Sequence, residues 1–212
     1  MQPKKPQYSP HKNRPINYGA TQQLVQPTDT SPLLNEKVIK RIQGIEGGLL
    51  YVGRAVNNKP LVELSAIDAQ QAAATEDTAS AVEQLLDNVA TYPNDGILFR
   101  KSDMILAAYA DAGFLTKSRA RSRAGAHRFL PENYPKPKLI GPVLTIAKIF
   151  KTVMSSAAEA EMTALFTTAK KMNPLRHKIL EMGWPQPQTP IETDNLTALL
   201  FTNKTIVHKA IK

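Results

Sequence analysis

Residues 154–170, MSSAAEAEMTALFTTAK, set two glutamates, Glu159 and Glu161, in an otherwise small and apolar stretch. The run predicts a helix over residues 156–170. Because an α-helix has about 3.6 residues per turn, side chains two positions apart point about 200° apart. One glutamate is therefore expected to face solvent while the other faces the element beneath the helix. The stretch predicts a covering helix that turns one carboxylate inward.

Ser156 and Glu159 have the spacing of a capping box at the start of this helix. The Ser156 hydroxyl is expected to accept from the N3 amide, while Glu159 reaches back to the N–H of Ser156. This interpretation assigns Glu159 to the helix start and leaves Glu161 as the inward carboxylate.

The segments around this helix predict a sheet. Four apolar runs before it are predicted as strands: ILFR, MILAAYAD, AGAHRFL and VLTIAKIF, at residues 97–100, 104–111, 124–130 and 143–150. A second helix, PLRHKILEMG, is predicted after Asn173 and closes at Gly183. TPIETDN predicts a strand that ends at Asp194, and LTALLFTN predicts a short helix. The expected fold class is α/β or α+β, a mixed sheet with covering helices.

The first part of the chain has a different character. Residues 1–31 are rich in Pro, Gln and Lys and predict an extended basic arm. Residues 32–96 predict a small all-helical segment, whose first helix has Ser31 as its cap and Pro32 as its first residue. Its third helix is capped by Thr75 and ends at Tyr92. The predicted domains are therefore 1–31, 32–96 and 97–212.

The composition excludes several classes of protein. With 42% hydrophobic and 21% charged residues, the 212-residue chain is expected to be globular rather than disordered. No apolar run approaches about 18 residues, and the N-terminus lacks the apolar core of a secretory signal. The absence of cysteine excludes disulfides and thiolate metal sites. We therefore expect an intracellular protein, cytoplasmic or nuclear, with no membrane partner.

The formal charge of +9 is unevenly distributed. Bases outnumber acids strongly over residues 100–151, which indicates a surface for polyanions such as nucleic acid. Arg119, Arg121 and Arg123 alternate, so in an extended segment they share one face. With Arg128 they are the candidate nucleic-acid contacts. The alternative is a solvated basic surface without a partner, and the charge alone leaves both open.

Three acids stand where strand and helix geometry can bring them together. Asp111 and Asp194 end predicted strands, and Glu161 lies in the covering helix. Such carboxylates converge at a sheet edge, where their mutual repulsion favours a neutralising cation. With oxygen ligands only, that cation is Mg²⁺ or Mn²⁺. Acids at strand ends also cap helices or stabilise turns, and Asp194 with Asn195 is a good N-cap, so spacing leaves both readings open.

Four motifs in order resemble the RNase H domain of copia-type LTR retrotransposon Pol polyproteins: YADAG, SRAGAHRFL, SSAAEAEMTALFTTAK and TDNLTALLF. The family has a Ser-Asp-Ala strand end, an arginine- and serine-rich turn, a Ser-Ser-x-x-Glu-Ala-Glu helix start and a Cys/Thr-Asp-Asn strand end. Upstream, GGLLYVGRAV and the helix ending in ATYP are similar to the segment that links reverse transcriptase to RNase H in the family. The resemblance covers most of the chain.

This resemblance implies an RNase H-like fold and two-metal hydrolysis of the RNA strand of RNA–DNA hybrids. Asp111 matches the first metal-binding aspartate of the family, Glu161 the helix glutamate and Asp194 the second-strand aspartate. These three residues would be both catalytic and metal-binding, with Mg²⁺ or Mn²⁺ as the cofactor. The implied partners are an RNA–DNA hybrid or another nucleic acid, and the rest of a Pol polyprotein.

The sequence departs from the family at a fourth carboxylate. The family has an Asp after a basic-x-Ile run, and here HKAIK puts Lys212 at that position. A lysine there opposes binding of a second cation. The further strand and the closing helix that the family has after this position are also absent from the sequence. The resemblance therefore implies a C-terminally truncated fragment with weak or absent nuclease activity. No Tyr-x-Asp-Asp polymerase motif is present, and DNA synthesis is not expected. The alternative is a non-catalytic nucleic-acid-binding or scaffold remnant of a retroelement.

Overall fold

The computed structural model describes residues 2–12, 29–117, 120–132 and 140–203. The chain divides into two compact units. The first holds Met1–Leu98, Thr116–Ala120 and Ala147–Ile149; the second holds Phe99–Leu115, Arg121–Ile146 and Phe150–Lys212. The domain boundaries predicted at residues 31 and 96 stay predictions, because a compact unit is not thereby an independently folding domain.

The first unit is helical. Its elements are α1 (Glu36–Ala55), α2 (Leu61–Asp68), a 3-10 helix (Gln71–Ala73) and α3 (Glu76–Thr91). Their apolar faces meet in a buried core that includes Ile42, Leu64, Ile67, Val82 and Leu85. This core accounts for the helical spacing of apolar residues along the segment.

The helix starts of this unit confirm one predicted cap and correct another. Thr75 caps α3, because its side chain accepts from the N–H of Thr78. The cap predicted at Ser31 is wrong, since α1 begins after Asn35, whose Oδ1 accepts from the N–H of Val38 at 3.0 Å. The Ser31 hydroxyl instead accepts from the N–H of Asp77 and thus serves the start of α3.

Residues 2–12 of the arm lie along α3. Four hydrogen bonds join main-chain groups of the arm to side chains of the helix: Lys4 N to Asp87 Oδ1 at 2.8 Å, Gln7 N to Thr91 Oγ1 at 3.0 Å, Asn88 Nδ2 to Gln7 O at 2.9 Å, and Gln84 Nε2 to Ser9 O at 3.2 Å. Two ion pairs, Lys4–Glu83 at 3.3 Å and Lys12–Asp77 at 2.9 Å, flank these bonds. The arm is therefore held by its main chain as well as by its charge.

A sheet with the strand order β3-β2-β1-β4 belongs mostly to the second unit. The strands are β1 (Ala107–Lys117), β2 (Arg121–Phe129), β3 (Leu144–Ile149) and β4 (Ile191–Glu192). β4 is parallel to β1, with Ala108 opposite Ile191. Backbone bonds from Val143 to Arg128 and from Phe150 to Ser122 make β2 and β3 antiparallel. The predicted class, a mixed sheet with helices, is confirmed.

One face of the sheet is covered by α4 (Ala157–Glu181), and α5 (Leu196–Thr202) follows β4. Small residues allow a close approach of α4, since Ala160 and Ala164 pack with Ala124 of β2. Further along, Met172 and Ile179 pack with residues of and beside β1. Every second side chain of β2, including that of Ala124, therefore faces the helix.

Four predictions about individual elements are wrong. Residues 97–100 form no strand, and β1 begins at Ala107 and runs past Asp111 to Lys117, so this acid lies within the strand. β4 ends at Glu192, two residues before Asp194. The helix break predicted at Asn173 does not occur, because α4 continues through Pro174.

Candidate metal centre

The three predicted acids come together in the second unit. Asp111 lies in β1, Glu161 in the second turn of α4, and Asp194 in the turn between β4 and α5. One carboxylate oxygen of each residue lies within 4.8 Å of those of the other two. The parallel pairing of β1 with β4 brings Asp111 and Asp194 side by side, and α4, which packs on the sheet, supplies Glu161.

The start of α4 decides which glutamate turns inward. The Ser156 hydroxyl accepts from the N–H of Glu159 at 3.1 Å, which confirms the predicted cap. Glu159 bonds one residue earlier than predicted, however, because its Oε2 accepts from both the N–H and the hydroxyl of Ser155, each at 2.6 Å. These bonds lower the pKa of the exposed Glu159. With this glutamate held at the helix start, Glu161 lies on the buried side of α4.

Helix capping does not account for Asp194. The neighbouring residue, Asn195, is the cap of α5, since its Oδ1 accepts from the N–H of Ala198 at 2.9 Å. The N-cap predicted at Asp194 with Asn195 is therefore confirmed at Asn195, and Asp194 is not the capping residue. The exposed carboxylate of Asp194 instead contributes to the acidic cluster.

Glu161 is the buried member of the cluster, with only 6% of its surface exposed. Its Oε1 accepts from the N–H of Ala112 at 3.3 Å, whereas Oε2 has no hydrogen-bond partner among the described residues. Burial raises the pKa of Glu161 to about 7, the charges of Asp111 and Asp194 add to this effect, and the Ala112 N–H opposes it. A buried carboxylate with one oxygen left without a hydrogen-bond partner is costly unless a proton or a cation compensates its charge.

This arrangement fits a bound metal ion. Asp111, Glu161 and Asp194 offer oxygen ligands only, and one of those oxygens is buried without a partner. Hard divalent cations prefer such oxygen donors. A cation within the cluster would neutralise the repulsion among the three carboxylates and satisfy the orphaned oxygen of Glu161. The cluster can therefore hold a metal ion.

The four arginines predicted to contact nucleic acid differ in their exposure to solvent. Arg119 lies outside the described residues, and Arg121 is half-buried at the start of β2. Arg123 and Arg128 are buried, with 8% and 0% of their surfaces exposed, so their guanidinium groups do not face solvent in this conformation. The predicted contacts between these arginines and phosphates stay predictions.

Arg128 has an unusual environment that sequence reasoning missed. Its Nε, Nη1 and Nη2 atoms have no hydrogen-bond partner among the residues that the structure describes, and burial lowers its pKa. The alternation along β2 that directs Ala124 and Ala126 toward α4 directs this side chain to the same face. That alternation could have predicted the burial, but a charged residue ordinarily indicates exposure.

A second network lies at the other end of α4. Arg176 donates to the carbonyl oxygens of Gln186 and Pro187, the former at 2.6 Å, and to the Thr189 hydroxyl at 2.7 Å. The Gln186 side chain in turn accepts from the N–H of Leu106 at 2.8 Å and donates to the carbonyl of Met104 at 2.6 Å. No motif in the sequence indicated this network.

Comparison of the chain with protein-family models, with curated proteins and with solved structures found no match. The helices of the described ranges are all too short or too polar to cross a membrane. Lys212, which the resemblance aligns with a fourth carboxylate, lies outside the described residues.

Proposed function

We propose that this chain contains an RNase H-like domain of a copia-type retrotransposon Pol that binds Mg²⁺ or Mn²⁺ and hydrolyses the RNA strand of RNA–DNA hybrids. The observation that carries the proposal is the convergence of Asp111, Glu161 and Asp194 within 4.8 Å around a buried, unpartnered carboxylate oxygen. These are the three residues that the family motifs match.

The order of the elements supports the same proposal. β1, β2 and β3 precede α4, which is followed by β4 and α5, and the acids come from the first strand, the helix and the end of the fourth strand. The resemblance implies this order for an RNase H-like fold. Independent support comes from the buried face of α4, where Glu161 is the carboxylate among small and apolar residues such as Ala160 and Ala164.

The proposed chemistry divides simply between the protein and its cofactor. The carboxylates of Asp111, Glu161 and Asp194 would hold the cation, and the Ala112 N–H would orient the Glu161 carboxylate. Bound divalent cations would stabilise the attacking and leaving oxygens of a phosphodiester displacement. Water would form a new bond to phosphorus while the bond to the 3′ oxygen breaks, so that the products are a 3′-hydroxyl and a 5′-phosphate. Hybrid selectivity would depend on 2′-hydroxyl contacts.

We expect this activity to be weak. The residue at the position of the fourth carboxylate is Lys212, whose positive charge opposes a second cation. With three carboxylates instead of four, the first cation would bind while the second would be held poorly.

The test compares two glutamates of the same helix. We expect Glu161→Gln to weaken Mn²⁺ binding, measured by electron paramagnetic resonance titration, by on the order of 100-fold, because it removes a ligand oxygen and its charge. Glu159→Gln is the matched control and should leave Mn²⁺ affinity unchanged, since Glu159 bonds to Ser155 and not to the cluster. Equal affinity in both variants would contradict the metal site.

Activity is measured separately on an RNA–DNA hybrid with Mg²⁺. Cleavage by the wild type that Asp111→Asn and Glu161→Gln both abolish supports the nuclease. Hybrid binding without cleavage, weakening steeply as salt rises, supports the non-catalytic alternative, which the net charge of +9 favours.

A further inference from the structure

The carboxylate cluster depends on a very short strand. β4 consists of Ile191 and Glu192, which pair with Ala108 and Tyr109 of β1. Strands in globular proteins usually have three to ten residues, roughly, so two pairs are a weak determinant of register. A slip of one residue would move Asp194 by about 3.3 Å along β1 and turn neighbouring side chains to the opposite face. Contacts outside the strand must therefore fix the position of β4.

The network of Arg176 and Gln186 provides those contacts. Arg176 belongs to α4 and donates hydrogen bonds to the segment that precedes β4. The three acceptors are on Gln186, Pro187 and Thr189. The Gln186 side chain then binds the main chain on both sides of residue 105, just before β1. Pairing of the strands follows at once, since the N–H of Ala108 donates to the carbonyl of Pro190 at 3.1 Å.

The three elements joined by this network are the three that carry the carboxylates. α4 carries Glu161, β1 carries Asp111, and β4 leads into Asp194. Arg176 lies 15 residues after Glu161, about 22 Å along the helix, so it touches none of the cluster. Its planar guanidinium presents its donors in a fixed arrangement, whereas the ammonium group of lysine is a point charge on a flexible stem.

We propose that Arg176 is a positioning residue for the metal centre, acting with Gln186 to set the register of β4 against β1 and α4. The inference rests on the proposed function, because it concerns the geometry of the same carboxylates. Metal–ligand distances lie within about 0.2 Å of their preferred values, so a register that is loosely held weakens cation binding even in a folded protein.

The test is Mn²⁺ affinity in folded variants of the full chain. Arg176→Met removes all three hydrogen bonds, and we expect Mn²⁺ to bind about 10-fold more weakly, as is usual when support behind the ligands is lost. Lys171→Met is the control, because it also removes one positive charge from an exposed position of α4. Arg176→Lys keeps the positive charge but replaces the planar guanidinium with a single ammonium nitrogen, so its Mn²⁺ affinity should fall between those of wild type and Arg176→Met.

Urea unfolding separates positioning from stability. A purely structural role would lower the urea midpoint of Arg176→Met while leaving its Mn²⁺ dissociation constant equal to that of Lys171→Met, and this result would overturn the inference. Should Arg176→Met fail to fold, Thr189→Val removes one acceptor with little change in shape and should show a smaller loss of affinity; an unchanged affinity there overturns the inference as well. A wild type that binds no Mn²⁺ would overturn the proposed function and this inference together.

Discussion

Glu46 lies on α1 with 8% of its surface exposed, and its Oε1 has no hydrogen-bond partner among the residues described. Burial raises its pKa to about 7, and the nearby charge of Asp68 on α2 adds to the shift. Because the folded pKa lies above the ordinary value of 4.5, the folded state holds a proton that the unfolded state releases between these values. The contribution of Glu46 to stability is therefore fully present below pH 4.5 and is lost as the pH rises toward 7.

Glu46→Gln should remove this dependence. We expect the variant to be more stable than wild type by about 1–3 kcal/mol at pH 8, where wild type buries a charge, and to differ little at pH 4.5. The free energy of unfolding in urea, measured at both pH values, gives the slope. Glu63→Gln, a half-buried position on α2, is the control and should keep the wild-type slope. A variant Glu46→Gln with the wild-type slope would contradict the assignment.

At the scale of residues, the sequence predicted which acids come together, but it did not predict which charged side chains are buried. Asp111, Glu161 and Asp194 were identified because ordered motifs matched a family pattern, and the structure brings them together. Glu46 and Arg128 escaped, although both follow the periodicity of a buried face. Charge and periodicity gave opposite indications there, and tertiary packing decides such conflicts.

At the scale of elements, α4 contradicts a local rule. Proline in a helix interior lacks an N–H donor and its ring opposes the carbonyl four residues earlier, which costs about 3 kcal/mol. The predicted second helix begins at Pro174. Nevertheless α4 runs from Ala157 to Glu181 with Pro174 inside, because Met172 and Ile179 on either side pack into one cluster against the sheet. Long-range packing offsets the local cost, and no local pattern records it.

Pro174→Ala should therefore stabilise the protein. Alanine restores the missing donor and removes the clash, so we expect the free energy of unfolding in urea to rise by about 1–3 kcal/mol, with a small gain of helical circular dichroism. Pro185→Ala, at an exposed position after α4, should give no such gain. Loss of stability in Pro174→Ala would mean that the irregularity at this proline is required for packing against the sheet.

Strand ends were predicted less well than strand positions for a related reason. Three of the apolar runs overlap β1, β2 and β3, whereas the run at residues 97–100 forms no strand. Apolar alternation marks where a strand can form, but its length depends on the neighbour with which it pairs. β1 extends to Lys117 beyond its predicted end at Asp111, and β4 stops at Glu192. The order of the strands likewise depends on pairings between segments far apart in sequence.

At the scale of the whole molecule, the sequence predicted a change of character near residue 97, from a helical part to a sheet. Helical periodicity and strand alternation are local signals, so they locate such a change. The docking of the arm on α3 is not local, since its bonds join residues 65 to 84 positions apart. Composition alone predicted an extended basic arm but did not indicate the element on which the arm packs.

Two kinds of contact hold the arm on α3, ion pairs and main-chain hydrogen bonds. The two ion pairs, Lys4–Glu83 and Lys12–Asp77, are exposed and are expected to contribute less than about 1 kcal/mol together. Three of the four main-chain bonds to α3 are partly buried, and Asn88, one of their partners, is buried. We therefore expect the main-chain bonds to dominate.

Deletion of residues 2–12 should lower the free energy of unfolding by about 1–2 kcal/mol and speed hydrogen exchange at the amides of α3, because four hydrogen bonds are lost against a gain in chain entropy. The double variant Lys4→Ala, Lys12→Ala removes both ion pairs and leaves the main-chain bonds in place, so its exchange rates should stay close to wild type. For the same reason, 0.5 M NaCl, roughly enough to screen exposed pairs, should change α3 exchange little in wild type. If the double variant or the added salt accelerates exchange as much as the deletion does, the arm is held by charge, and a polyanion would compete directly with α3 for it.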